Sequence, residues 1–482
     1  MDEEFKDYDA LGLAHLVRTK QVKPSELLDA ALGRAEGAQE QINCFSALFP
    51  ELAHEQLEQP LGDGPFAGVP FATKDLAVDI KGAPITQGSV AWKGHVATED
   101  STLAARYRKA GLVFFGATTT PEFGLTLTTE STLHGQTRNP WDTTRTSGGS
   151  SGGAAAAVAS GVLPLAQASD GGGSIRIPAA CCGLFGLKPS RGRIPMGPGR
   201  TEGWNGLSTV HAVSRSVRDS AALLDVSHGP EVGSRYHAPP PARPFLTELD
   251  HDPKPLKIAL WRTASNGTKP DADAEAGLKF TADLLERLGH TVVEAGPQMD
   301  GAALGKAALF TISANIAAMV DDRAKALGRD VREDELEPVT FQMANLGRTV
   351  PMVELAHANN TFQTAAIAYE RFLDAGGFDM TLSPTLMRAP EKLGVMALTE
   401  PETMGEAVQT FAPHCAVFNQ MGAPAMSVPL HWTGPTPTAP SGLPLGMMFG
   451  SRYGTESLLF ALAGQLERSA PWAHRHPPVW VA

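Results

Sequence analysis

Three side chains carry the chemistry that this sequence could perform. Ser150 stands in the run Thr146-Ser147-Gly148-Gly149-Ser150-Ser151-Gly152-Gly153. Ser174 stands in Ser169-Asp170-Gly171-Gly172-Gly173-Ser174-Ile175-Arg176, 24 positions further on. Glycines this dense around a hydroxyl let the backbone approach a substrate and aim several N–H groups at one point. That suits a serine nucleophile and an oxyanion hole. A serine attacks only when a base takes its proton, and the base candidate is Lys74. Its segment, Gly68-Val69-Pro70-Phe71-Ala72-Thr73-Lys74-Asp75-Leu76, is mostly apolar, so the sequence predicts a partly buried lysine. Desolvation disfavours the ammonium and yields the neutral amine that a general base needs. The competing reading is a strand-end lysine paired with Asp75 or Asp79, and these residues alone do not choose between the two.

Other chemistries fit less well. Gly148-Gly149-Ser150-Ser151-Gly152 matches the G-x-S-x-G elbow, but that elbow needs an apolar strand before the serine, and residues 141–147 are mostly polar. None of the 14 histidines stands in an informative setting. There is no G-x-x-x-x-G-K-[ST] and no H-E-x-x-H. His474 and His476 read as surface residues, so neither a metal nor a cofactor is expected. A glycine-rich loop can also be a mere packing corner. Two such loops close together, each holding a serine, favour chemistry.

The elements that must position these loops alternate between helix and strand. Residues 8–48 suggest two amphipathic helices, the first marked by Leu11, Leu13, Leu16 and Val17, the second opened by Pro24-Ser25-Glu26. Residues 51–65 read as a polar connection. A strand over 68–75 delivers Lys74, and Leu112-Val113-Phe114-Phe115-Gly116 is a buried strand by its aromatic and β-branched content. A helix over 154–161 and a strand over 162–166 follow. The proline-rich stretch 239–244 is a surface connection. Beyond it, a strand at 257–261, a helix at 272–288 and a strand at 289–293 form a second α/β unit. Residues 303–375 are mostly helical by period, 433–441 form an exposed loop, and 454–468 form a C-terminal helix. The pattern is that of an α/β fold with a central sheet.

Composition narrows the partners. The 482 residues are 42% hydrophobic and 19% charged, enough for a large core. A net charge of −12 argues against nucleic acid and anionic membrane as partners. The longest apolar stretch, 154–168, is broken by Gly161 and Pro164 and is too short to span a bilayer. The opening MDEEFKDYDA lacks the features of a signal peptide. Cys44, Cys181, Cys182 and Cys415 have no C-x-x-C spacing, which points to buried thiols and a reducing, cytoplasmic setting.

The segment from Thr146 to Pro189, TSGGSSGGAAAAVASGVLPLAQASDGGGSIRIPAACCGLFGLKP, resembles the amidase signature. Residues 68–76 resemble the lysine strand of that family, 116–124 and 137–142 two further blocks, and 419–429 and 442–449 its C-terminal strands. The likeness runs over nearly the whole chain. It implies an amidase signature fold in a single domain, 1–482, with a central mixed β-sheet covered by helices on both faces. Within it lie N-terminal helices (1–65), a catalytic core (66–230) and a helical substrate-side region (303–375). It also implies amide hydrolysis by a Ser–cis-Ser–Lys triad through an acyl-enzyme. Ser174 is then the nucleophile, Ser150 the bridging serine after a cis peptide bond, and Lys74 the base. The N–H groups of Gly171, Gly172, Gly173 and Ser174 would hold the oxyanion. Asp170 and Arg176 would brace the loop, and Ser151 would hydrogen-bond within it. Three departures stand out. Ser147 replaces a frequent proline and Thr119 a common asparagine. Gly171 replaces the usual threonine or isoleucine, which is expected to loosen the oxyanion loop.

The S-D-G-G-G-S loop, with Ala179-Ala180-Cys181-Cys182-Gly183, Gly203-Trp204-Asn205-Gly206-Leu207 and Pro471-Trp472-Ala473, is most similar to the bacterial branch containing 6-aminohexanoate cyclic-dimer hydrolases and aryl acylamidases. The implied partner is a small-molecule amide or carbamate, with no cofactor, and the resemblance leaves room for a homodimer. The pocket is expected between the loop after Phe123 and the helices of 303–375. Alternative readings are a carbamate (urethane) hydrolase of the same mechanism, the glutaminase subunit of a tRNA-dependent amidotransferase, and a non-catalytic binding relative. The intact set of Lys74, Ser150 and Ser174 argues against the last.

Overall fold

The computed structural model describes residues 8–481. The first seven residues, on which part of the leader-peptide reading rests, lie outside them. A three-stranded sheet is formed by β1 (Phe45–Leu48), β2 (Pro70–Lys74) and β3 (Val113–Thr118), in the order β1-β3-β2. Two short hairpins follow: β4 (Glu130–Ser131) with β5 (Gly135–Gln136), and β6 (Arg138–Asn139) with β7 (Asp142–Thr146). The large sheet holds β8 (Leu165–Asp170), β9 (Phe185–Lys188), β10 (Thr209–Ser214), β11 (Lys257–Leu260), β12 (Thr291–Glu294), β13 (Met380–Pro384), β14 (Ala425–Trp432) and β15 (Pro444–Ser451). Their spatial order is β12-β11-β13-β15-β14-β9-β10-β8. β11 pairs in parallel with β12 and β13, and the other pairs are antiparallel, so the sheet is mixed.

Helices cover both faces, as adjacent residues of β15 show. A Cβ built on Gly446 would lie 2.8 Å from Ala180 Cβ, on the helix Arg176–Cys182. The next side chain, Met447, reaches Gly277 on the helix Ala272–Arg287. Neighbouring strand residues point to opposite faces, so the two helices lie on opposite sides. β2, β3, β8, β9, β10, β13 and β15 are buried along their whole lengths. Burial on both faces explains why β3, Val-Phe-Phe-Gly-Ala-Thr, reads as a near-continuous apolar run rather than as an alternating one.

Three expected elements differ. Residues 45–48 are β1, not helix, because they pair antiparallel with β3; tertiary pairing overrides local period there. Within the connection 51–65 lies a helix, Pro50–Leu57, started by a proline at its first position. Only Ala53 of that helix is buried, so it leaves almost no apolar stripe to read. The strand expected at 162–166 begins at Leu165 and runs to Asp170, because Pro164 has no N–H to give to a ladder.

The helices Gly301–Leu327, Pro338–Thr349 and Met352–Gly376 fill the expected helical region. The first is long and apolar enough to cross a membrane by length and composition, with a mean hydropathy of 1.5. It packs against the other two. All four cysteines are free and buried, and burial pushes the Cys415 thiol up to about 12.

Candidate active site

β2 delivers Lys74 at its last position, fully buried. The Lys74 backbone N–H donates to Gln167 Oε1 at 2.7 Å, which ties the small sheet to β8. Its Nζ donates to Ser150 Oγ at 2.7 Å and to Ser169 Oγ at 3.0 Å. Two serine hydroxyls, not Asp75 or Asp79, are thus the partners of the amine. Asp75 instead accepts from the Thr86 backbone N–H at 2.5 Å and from the Thr86 hydroxyl, and lies 3.3 Å from His134 Nε2. Burial pushes the Lys74 amine down to about 7, against the pull of the Asp170 and Asp75 charges. Near neutral pH a large share of this lysine is neutral and able to accept a proton.

Ser150 follows a cis Gly149–Ser150 peptide bond. Its loop is clamped by Thr129, whose Oγ1 donates to the Gly148 carbonyl and accepts from the Gly152 N–H, both at 2.9 Å. The Ser150 hydroxyl is also approached by backbone from the other side. Gly124 has φ +73, and a Cβ there would lie 2.9 Å from Ser150 Oγ. A residue with a side chain would push the hydroxyl off the lysine.

Ser174 lies in the turn between β8 and the helix Arg176–Cys182 and is 6% exposed. It lines one cleft together with Ser150, Ser169 and Gly171. Among the described residues, its hydroxyl makes no hydrogen bond with Ser150, so the two serines share a cleft without closing a chain of bonds. Ser151 sits one residue beyond Ser150 and couples the loops. Its Oγ donates to the Ser169 carbonyl and accepts from the Ser169 N–H, both at 3.2 Å.

The loop bearing Ser174 is knotted around Asp170. Arg176 donates to both carboxylate oxygens, at 3.0 and 2.9 Å. Gly173 N–H donates to Oδ1 at 2.7 Å and Ile175 N–H to Oδ2 at 3.1 Å. Burial raises the Asp170 carboxyl, but the Arg176 guanidinium overrides it and holds the group at about 2. The Gly173 amide is therefore engaged inside the loop. Of the four amides expected to face an oxyanion, those of Gly171, Gly172 and Ser174 remain without such a partner among the described residues.

Replacing Arg176 by Ala should strand a buried carboxylate and cost about 3–5 kcal/mol of stability. Chemical denaturation measures the loss. The Asp170 carboxyl lies below its ordinary 3.8, so its contribution is present above that pH and fades as pH falls toward 2. The variant should lose that part of the acid dependence; an unchanged stability would contradict the pairing.

Four side chains in and around the site escape sequence reasoning. Ser169 and Gln167 alternate on β8 and so share the face toward β2; two polar residues two apart in an apolar strand are the available signal. Asn419, on the helix Pro413–Met421, donates to the Asp170 carbonyl at 2.8 Å, to Asp170 Oδ1 at 2.9 Å and to the Leu207 carbonyl at 3.0 Å. It also accepts from Arg176 at 2.8 Å. Its only sequence signal is its place at the head of residues 419–429. Trp204 lies over Gly171: a Cβ on Gly171 would be 2.7 Å from the indole ring. The indole takes the space a side chain at 171 would fill. A second buried lysine, Lys188 on β9, is also pushed down to about 7 by burial. It donates to the Pro189 carbonyl, whereas Lys74 reaches the hydroxyls of Ser150 and Ser169, so it is the partners and not burial alone that set the two lysines apart.

The cleft is narrow, with about 50 Å³ of space. Leu76, Ala77, Phe123, Met196, Trp204 and Met319 make its apolar walls. Gly124 belongs to the expected loop after Phe123, and Met319 to the expected helical region.

Comparison with known proteins places this fold and cleft among amide-cleaving hydrolases. The amidase family model matches residues 26–460, and the chain belongs to that family, with the amidase signature fold. It is 34% identical to the 6-aminohexanoate-cyclic-dimer hydrolase of Paenarthrobacter ureafaciens, over 97% of this chain and 96% of that protein. It superposes on the structure of a 6-aminohexanoate cyclic dimer hydrolase complexed with substrate with a TM-score of 0.91, at 34% identity, over 98% of this chain and 99% of the other. A bacterial aryl acylamidase aligns with a TM-score of 0.83 at 25% identity, over 97% of each chain.

Proposed function

We propose that this chain, acting as one amidase unit, hydrolyses linear or cyclic amides such as 6-aminohexanoate oligomers or aryl acylamides by a Ser174–Ser150–Lys74 relay. The observation that carries the reading is the 2.7 Å bond from a buried Lys74, its amine brought down to about 7, to Ser150, on the cleft that Ser174 also lines. Ser174 Oγ attacks the amide carbonyl as its proton passes to Ser150, whose own proton passes to Lys74. The tetrahedral oxyanion is held by the N–H groups of Gly171, Gly172 and Ser174, each donor worth about 3–4 kcal/mol in such sites. Lys74 returns the proton through Ser150 to the leaving nitrogen, the C–N bond breaks and the acyl group stays on Ser174. Water then attacks the ester, gives its proton to the same relay and releases the acid. Ser169, bonded to the same amine, holds the lysine on line.

The likeness to 6-aminohexanoate cyclic dimer hydrolases and to an aryl acylamidase supports the substrate class. Its test is a panel of cyclic and linear 6-aminohexanoate dimers, anilides, carbamates and glutamine. Turnover of the first three above the last two is the expected result. A preference for glutamine or for carbamates would overturn the substrate assignment.

A further inference from the structure

The walls of the cleft are held in an unusual backbone conformation. Seven non-glycine residues among those described have positive φ, and four of them, Ala77, Gln87, Phe123 and Trp204, line this cleft. Positive φ is uncommon for any residue with a Cβ and rarest for bulky ones, and such residues gather where a binding surface dictates the backbone. Trp204 has φ 49 and its neighbour Asn205 φ 54. The turn they form is fastened on three sides. Asn315 donates to Asn205 Oδ1 at 2.8 Å, Arg191 donates to the Gly206 carbonyl at 2.6 Å, and Asn419 donates to the Leu207 carbonyl at 3.0 Å. Asn419 is the same residue that holds the Asp170 carboxylate and carbonyl, so the tryptophan turn and the oxyanion loop are set by one side chain. The result is an indole pressed on Gly171, whose absent Cβ would stand 2.7 Å from the ring. Phe123, which lines the same cleft, is buried and packs edge-on against Trp92 at 5.0 Å, so it is backed by a second ring. The space left, about 50 Å³, holds a few water-sized groups.

We propose that Trp204, seated on Gly171, determines specificity by admitting amides whose carbonyl is attached to an unbranched methylene chain and by rejecting those branched or ring-bearing at that carbon. The argument is steric. Gly171 supplies one of the amides left to receive the oxyanion, so the carbonyl must lie beside the indole. The first carbon of the acyl chain then shares a cleft of about 50 Å³ with Trp204 and the buried Phe123. A methylene passes; a branch or a ring meets the indole. The exchange of a side chain at 171 for an aromatic ring at 204 also makes the two positions interdependent.

This inference rests on the amide-hydrolase reading above, so the test separates the two. Wild type, Trp204→Ala, Trp204→Leu, Gly171→Ala and the double variant Gly171→Ala/Trp204→Ala are assayed with hexanoyl, 2-ethylhexanoyl and benzoyl p-nitroanilides. Labelling of Ser174 by a fluorophosphonate is followed in parallel. The expected result is a preference of wild type for the hexanoyl anilide that falls at least tenfold in kcat/KM ratio in both Trp204 variants, through gains on the two bulky substrates. Gly171→Ala should lower kcat/KM on the hexanoyl anilide at least tenfold, and removing the indole in the double variant should recover most of that loss. An unchanged ratio in whichever Trp204 variant folds, or no recovery in the double variant, overturns the role of Trp204 while leaving amide hydrolysis intact. Absence of both anilide turnover and Ser174 labelling in wild type overturns the underlying reading and the inference with it.

Discussion

Replacing Ser174 by Ala should abolish amide hydrolysis, with kcat falling by about 10⁴-fold or more, as removal of a nucleophile does in serine hydrolases that work by a coupled set of residues. The expectation follows from position. Ser174 stands just before a helix on a loop fixed by Asp170, Arg176 and Asn419, and the amides on either side of it, Gly173 and Ile175, are tied to the Asp170 carboxylate. Removing one oxygen from a 6%-exposed site leaves those bonds untouched, so the thermal midpoint should hardly move. The measurement is p-nitroanilide turnover, with mass spectrometry of the fluorophosphonate adduct on the wild-type enzyme. An adduct on Ser150, or retained turnover in Ser174→Ala, would reassign the nucleophile.

Lys74→Met should lower kcat/KM by about 10²–10⁴-fold, the usual range for a lost general base. In the wild type, kcat/KM should rise with pH through a single proton loss centred near 7, where burial has brought the amine. Below that pH the lysine is an ammonium and cannot accept the proton from Ser150; above it the amine is free to do so. The methionine variant should lose this limb. The same shift carries a stability cost. The folded lysine sits below its ordinary 10.5, so the unfolded chain binds the extra proton between pH 7 and 10.5. The penalty is full below 7 and disappears as pH rises to 10.5. Lys74→Met should therefore raise the Tm at neutral pH, a functional group traded against stability. A pH profile flat between 6 and 8 in the wild type would refute the base assignment.

Local pattern revealed the parts of this protein that local forces determine. The strand carrying Lys74 and the strand at Val113–Thr118 were legible because buried strands need apolar and β-branched runs. The two glycine loops were legible because close backbone approach requires glycine. β1 was not, because four residues after a long helix become a strand only by pairing with β3. Within the site, Ser150 and Ser174 stand out by their glycine loops, whereas Lys74 was set apart from a strand-end ion pair only by the family resemblance. Asn419 does not stand out: it lies 249 positions from the Asp170 carbonyl that it holds. Trp204 reads as one more aromatic until its ring is seen on Gly171. The engagement of the Gly173 amide was likewise invisible, since any of four consecutive amides could have turned toward Asp170.

The last two strands of the chain lie in the middle of the large sheet, where β15 and β14 separate β13 from β9. A ribosome delivers them after everything they join. Without β14 and β15, β13 and β9 would each be left with an edge that has no partner strand. Asn419, which completes the turn around Asp170, arrives in the same final instalment. A chain lacking residues 419–451 would have neither the asparagine brace of its Ser174 loop nor the two strands that join the halves of its large sheet, so the site and the sheet depend on the same late segment.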